Sequence, residues 1–300
     1  MRAVVLRETG GPEALRLEEA EPPDPADGEV LIRVHAASIN PIDWKQRRGM
    51  SPKPLPAVLG SDISGTVEAS RSDAFAEGDE VFGFARTGAY AELAATPAAM
   101  IAGKPAGVSH AVAAAIPVAG LTSWQALHDR GGLQAGQTAL IAGAAGGVGH
   151  LGVQFAKRAG ARAIGTGSSR NRDFVLGLGA DEYVDYTQQD VAEAVSDVDV
   201  AFDTVGGQTT QSLLATVRRG GVLVTIAGAP PEEAAERGVR AELLIMSASA
   251  EQLAAIAELV AAGEVHVEIA QTFPLSQVQQ AHALSESGHT RGKIILDVAG

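Results

Sequence analysis

The chain reads as a two-domain α/β protein, a doubly wound parallel sheet joined to a smaller antiparallel body, and three features of its sequence say so. From Thr138 onward, short apolar runs alternate with helical stretches. The residues up to about 115 hold short strands punctuated by Gly, Pro and Asp. The last segment returns to that second pattern. Three hundred residues suit about two domains at ~150 residues each and bury a large core without disulfide staples.

Taken in order, "RAVVL", "EVLIRVHAASI", "GTVEAS", "DEVFGFA" and "AYAELAATP" are short strands between turns, the pattern of a small, irregular antiparallel barrel. The parallel sheet is written in "TALIA" (138–142), "ARAIGT" (161–166), "EYVDY" (182–186), "VDVAFD" (198–203), "GVLVTIAG" (221–228) and "AELLIM" (241–246). Helical periodicity fills the gaps over 148–159, 172–178, 208–218 and 250–262. Continuous apolar strands separated by helices imply a parallel sheet covered on both faces. The tail adds "VHVEIAQTFP", a helix from about Ser276 to Ser287, and "GKIILDVA" as a last strand. The expected domains are therefore 1–118 with 264–300, and 119–263, with a cleft between the two bodies.

Composition narrows the function. The chain is 46% hydrophobic and 20% charged, ordinary values for a folded protein in water. It has no cysteine, which removes disulfides, thiolate nucleophiles and cysteine-ligated metals from the inventory. A formal charge of −13 works against sequence-independent binding to nucleic acid or anionic lipid. The N-terminal "MRAVVLRETGGPEALRLEE" carries acids and glycines where a signal peptide needs an apolar core, so a cytoplasmic protein is expected. The uncharged stretch Thr138–Ala156 has the length of a membrane span, but its glycines fit a strand entering a turn better.

That stretch contains "GAAGGVGHLGVQFAKRAG" (143–160). Gly143, Gly146 and Gly149 recur at every third residue between a strand and a helix. A chain that turns sharply there, with its helix close against the strand, brings the backbone of Ala145, Gly146, Gly147, Val148 and Gly149 against a pyrophosphate. Ala144 stands where the usual G-x-G-x-x-G fingerprint has its first glycine. At the end of the second strand, "GTGSSRNR" offers Ser168, Ser169, Arg170 and Arg172, with no acid from His150 to Arg172. Hydroxyls and guanidinium groups suit a 2′-phosphate, which favours NADPH over NADH, while the plainer reading of some of these residues is a solvated loop that starts the next helix.

These residues, with "ASINPIDWKQRRG" (37–49), "LGSDISGTV" (59–67), "EGDEVFGF" (77–84), "GAYAE" (88–92), "AAAIPVAGLTSWQAL" (113–127), "LGADEYVDY" (178–186), "FDTVGG" (202–207) and "TRGKIIL" (290–296), resemble the zinc-free quinone oxidoreductases of the medium-chain dehydrogenase/reductase superfamily over the full length. The resemblance implies a GroES-like β-barrel domain plus a Rossmann domain. It places Asn40 and Thr122 at the nicotinamide end, Tyr186 near the adenosine phosphate, and the backbone of Ile226, Ala227 and Gly228 facing the nicotinamide. It also implies a homodimer paired along the 241–246 strand. The zinc branch needs cysteines this chain lacks, and "GSDISG" (60–65) has no histidine where that branch has its ligand. His35, His110, His128, His150, His266, His282 and His289 show no metal-like spacing, so no metal is expected.

Without a metal, hydride transfer requires an acceptor that is already electrophilic, a quinone or an α,β-unsaturated carbonyl. The expected catalytic residues are Asn40, Lys45 and Tyr90, with Asp43 and Thr122 beside them. Asn40 orients nicotinamide or substrate through its amide. Lys45 either donates to a carbonyl or is a solvated lysine beside Arg47 and Arg48. Asp43 is expected only to brace the loop, by pairing with one of those cations. Tyr90 has a phenol able to protonate an enolate, and "GAYAE" equally fits a strand aromatic packed under the barrel. Trp44 and Trp124 form apolar walls or core. Two other readings share these features: an enoyl-thioester reductase of the same fold, and a non-catalytic NADPH-binding sensor.

Overall fold

The computed structural model describes residues 1–299, and packing divides them into two compact units. One is Met1–Val118 together with the chain from Ala248 onward, and the other is Ala119–Ser247. The second crossing lies at 247/248 rather than at the expected 263/264. The helix after Ser249 packs on the first unit, against the strand Ile101–Gly103. Its apolar face, Leu253, Ile256 and Ala257, is buried there.

In the first unit β1 (Arg2–Leu6), β2 (Leu15–Glu19) and β4 (Ala57–Val58) form a small antiparallel sheet with β1 in the middle. The larger sheet is built on β3 (Glu29–Ile39), which is long enough to serve several partners. One of them is β5 (Asp62–Ser70), paired with it over Val30–Ser38. Others are β7 (Leu93–Pro97), which takes the first half of β3, and β16 (Lys293–Asp297), which takes the last residues. Beyond β5 lie β6 (Glu80–Phe84) and β8 (Ile101–Gly103), and beyond β16 lies β15 (Ile269–Pro274), parallel to it. The order β15-β16-β3-β5-β6-β8 leaves both ends unpaired, so among the described residues the expected barrel is not closed. Register shifts at Leu31/Ile32 and Val34/Ala36 bend β3 without joining its distant neighbours. Alternate residues of these strands, including Val30, Ile32, Val34, Ile63 and Val81, meet in one core with Leu6, Leu15 and Leu296. Helices α1 (Pro41–Arg47), α2 (His110–Ala115), α8 (Ala250–Ala261) and α9 (Val278–Glu286) complete the unit.

The second unit opens with α3 (Pro117–Trp124), which continues as a π-helical turn over Gln125–Arg130. Its sheet is parallel throughout, in the order β11-β10-β9-β12-β13-β14. The strands are β9 (Thr138–Ala142), β10 (Arg162–Gly167), β11 (Glu182–Asp185), β12 (Val198–Asp203), β13 (Val217–Thr225) and β14 (Arg240–Leu243). Helices α4 (Gly149–Arg158), α5 (Arg172–Gly177), α6 (Val191–Ala194) and α7 (Gln208–Thr216) connect them. The order reverses beside β9, so the β9–α4 turn lies at the switch point where such sheets bind ligands. Helix α7 ends at Thr216, short of the expected 218, because β-branched Val217 joins Val198 in the ladder. No helix among the described residues is long and apolar enough to cross a membrane.

Candidate active site

The β9–α4 turn is set by its glycines. Gly143 has φ +65°, and a Cβ there would sit 2.5 Å from Thr204 Oγ1. At Gly149 a Cβ would sit 2.2 Å from the Gly143 carbonyl oxygen, so only glycine lets α4 start this close to the strand. Ala144 does not weaken the motif: its N–H donates to Thr166 O (3.0 Å), and its buried methyl packs where a Cβ on Gly165 would lie, 2.9 Å away. The sequence expectation of a run of N–H groups is modified at Gly146, whose N–H donates to Gly143 O (2.9 Å) and closes the turn. Gly147 and Val148 stay partly exposed at the helix start, where the dipole favours an anion.

Beyond β10, Ser169, Arg170 and Arg172 are exposed and Ser168 is half-buried. The guanidinium of Arg172 lies 5.9 Å from the centre of the Tyr183 ring, and Tyr186 is 59% exposed. The Ser169 hydroxyl donates to Asp185, a residue the sequence reading passed over. Hydrogen bonds from Ser169 and Thr187 hold the Asp185 carboxyl below the usual range, so it is ionised. At the end of β13, Ile226 donates its N–H to Asp203 O (3.0 Å), and Ala227 donates to Thr225 Oγ1 (3.2 Å). The buried Asp203 carboxylate organises this end of the sheet, accepting from the Val205 and Gly206 N–H groups and from Thr210 and Thr225. Thr122 is buried on α3. Trp124, partly buried, meets Phe155 edge-on at 5.3 Å and His128 at 4.7 Å.

In the first unit, the turn from β3 into α1 gathers a buried polar cluster. Asn40 precedes the helix, and its N–H donates to Asp43 Oδ2 (2.8 Å). The Tyr90 hydroxyl donates to the same oxygen (2.7 Å). Asn40 Nδ2 donates to Asp62 Oδ2 (2.9 Å), and Lys293 Nζ donates to Asn40 Oδ1 (2.6 Å). Asn40, Asp43, Asp62, Tyr90 and Lys293 are all buried. Burial pushes the Asp62 carboxyl up to about 6 against the pull of Lys293, and raises Asp43 despite its hydrogen bonds. It pushes the Lys293 ammonium down, although Asp62 and Asp43 oppose this. Lys53, half-buried and bonded to Val58 O (3.1 Å), is lowered by desolvation.

Three expectations change. Tyr90 is 0% exposed with its proton committed to Asp43, and burial holds its phenol well above the usual range, so it braces Asp43 rather than protonating a substrate. Asp43 does not pair with Arg47 or Arg48, both of which donate to Glu286. The Asn40 carboxamide is held at both ends by protein. Lys45 lies with Nζ 5.7 Å from the Trp44 ring centre, both side chains half-buried. Asp62 and Lys293 were missed. Their one signal is a charged residue opening an apolar strand, which reads more simply as a solvated strand end. Among the described residues no group of three or more His, Asp or Glu is arranged to hold a metal.

Residues 178–296 match the family model for zinc-binding dehydrogenases, and 26–106 that for the alcohol dehydrogenase GroES-like domain. The fold superposes on the quinone oxidoreductase of Coxiella burnetii with a TM-score of 0.95, 35% identity and 99% of each chain covered. The Escherichia coli quinone oxidoreductase complexed with NADPH gives 0.92 and 30%, over 99% of this chain and 100% of that one. The chain is also 32% identical to the chloroplastic NADPH-dependent alkenal/one oxidoreductase of Arabidopsis thaliana, over 99% of this chain and 79% of the relative.

Proposed function

We propose, from the premise that this chain belongs to the quinone oxidoreductase branch of the medium-chain dehydrogenase/reductase superfamily, that it is an NADPH-dependent reductase of quinones or α,β-unsaturated carbonyls. The observation that carries the reading is the β9–α4 turn, where the Gly149–Gly143 contact leaves room for no side chain and the helix start faces the end of the sheet. A dinucleotide fits these residues. Its pyrophosphate would be held by the backbone around Gly147 and Val148, and its 2′-phosphate by Ser168, Arg170 and Arg172. When bound, NADPH supplies the hydride.

The protein's own part is binding, orientation and polarity. Asn40, with one amide N–H beyond the one Asp62 accepts, and Lys45 on α1 would supply hydrogen bonds here, and Asp43 and Tyr90 hold the β3–α1 turn. Lys45, half-buried beside Trp44, would donate to an acceptor oxygen as charge develops on it. The chain has no cysteine, and Asp62 is engaged with Asn40 and Lys293 in the segment where zinc-dependent relatives carry a ligand. The reading is therefore of zinc-independent chemistry. The edge strand β14, with Leu243 46% exposed and Ile245 just beyond the strand 79% exposed, supports pairing of two copies.

The test is steady-state oxidation of NADPH with a panel of quinones, 2-alkenals, enones and a crotonyl thioester, with and without a chelator. Turnover on quinones or enones, unaffected by chelation, is expected. Turnover confined to the thioester, or lost on chelation, contradicts the reading.

A further inference from the structure

We propose that Lys293 and Asp62 are positioning residues for this reduction: from the strands flanking the end of β3 they hold the Asn40 carboxamide in a single orientation. The inference rests on the function proposed above. Sheet register makes the arrangement. Asp62 opens β5 opposite Ser38, and Lys293 opens β16 one residue before Ile294, which pairs with Ile39. Asn40 therefore leaves the sheet between a carboxylate 22 residues ahead of it and a lysine 253 residues ahead, brought together by β3.

The chemistry of the two neighbours permits one amide orientation. An ammonium only donates, and an ionised carboxylate only accepts. Lys293 Nζ donates to Oδ1 at 2.6 Å, and Nδ2 donates to Asp62 at 2.9 Å. A flipped amide would set N–H against ammonium and C=O against carboxylate. The neighbours are themselves fixed: the Val118 N–H donates to Asp62 Oδ1 (3.2 Å), and Lys293 Nζ reaches Ile39 O (3.4 Å). The ion pair between them is loose, with Nζ 3.7 Å from Asp62 Oδ2, so each charge is directed more closely at Asn40 than at its counter-ion. Apolar residues of similar volume often replace buried ion pairs without loss of stability. They cannot orient an amide. The Asn40 main chain is held separately by Asp43, so the Lys293–Asp62 pair bears on the side chain.

Two double variants separate positioning from packing. D62N/K293M removes both charges and leaves Oδ1 of Asn40 without its donor. D62N/K293Q removes the same charges and keeps a donor at position 293. Both are expected to fold with similar melting temperatures, and both to be stabilised by NADPH. The Met variant is expected to lose about tenfold or more in kcat/KM for the acceptor, and the Gln variant to recover most of it. Equal kcat/KM in the two overturns the proposal, as does failure of either double variant to fold. A wild-type protein inactive on every quinone and enone overturns the functional reading itself, and the proposal with it.

Discussion

His282 on α9 shows how a single buried residue sets a response to acid. It is 0% exposed, stacks edge-on to Tyr90 at 5.7 Å, and neither ring nitrogen has a hydrogen-bond partner. Burial, and then the Arg47 cation, push its pKa down to about 3, with Glu286 opposing. The unfolded chain takes up this proton near 6.5 and the folded chain only near 3. The stability contribution is thus whole above pH 6.5 and is lost as pH falls towards 3, by up to about 1.4 kcal/mol per pH unit. In urea unfolding at pH 7 and pH 5, His282→Leu is expected to show the shallower decline, and equal declines would refute the assignment. Asp62 has the opposite sign: raised to about 6, it contributes stability at low pH that fades as pH rises from 3.8. At this scale the sequence revealed residue types but not commitments. Asn40, Asp43 and Tyr90 stood out as polar groups in suggestive motifs. Asp43 ties Asn40 and Tyr90 together, but the Asn40 carboxamide is fixed by Asp62 and Lys293, whose proximity is a property of the sheet and not of any local pattern.

Among the elements, the β9–α4 unit was the most legible, since its strand, its glycines and its helix are consecutive and each obeys a local rule. Ala144 looked like a defect in the fingerprint and is instead packed against Gly165. Gly149→Ala is the sharpest probe of this element. Its Cβ would meet the Gly143 carbonyl oxygen at 2.2 Å and the carbonyl carbon at 2.8 Å, and backbone has little room to yield. We expect a loss of about 1–3 kcal/mol in urea unfolding and NADPH binding weakened by about tenfold or more, which corresponds to about 1.4 kcal/mol. A variant with wild-type stability and affinity would show that the loop is not the nucleotide cradle. The antiparallel sheet was less legible for a physical reason. Each strand is visible in its alternation, but closure is decided by which strands meet across long separations. Here β3 shares its pairing among β5, β7 and β16, and the sheet stays open between β8 and β15.

At the scale of the whole molecule, the order of the two patterns along the chain revealed a discontinuous first unit enclosing a continuous second one. The return point was harder to place, because α8 carries the same helical periodicity whichever unit it packs on, and only its burial against the first unit decides. The exit from the second unit is fastened by Gln125, which donates to Ser247 O (2.8 Å) and accepts from the Ser247 N–H (2.9 Å). The central claim is that this chain moves a hydride from NADPH to a carbon already conjugated to a carbonyl. Reduction of an enone by NADPH carrying deuterium at the transferable nicotinamide C4 position tests it directly, with the product read by mass spectrometry. The account predicts one deuterium at the β-carbon of the saturated product and none from deuterated solvent at that carbon. Saturated product without cofactor-derived deuterium at the β-carbon, or no product while quinones also go unreduced, would contradict it.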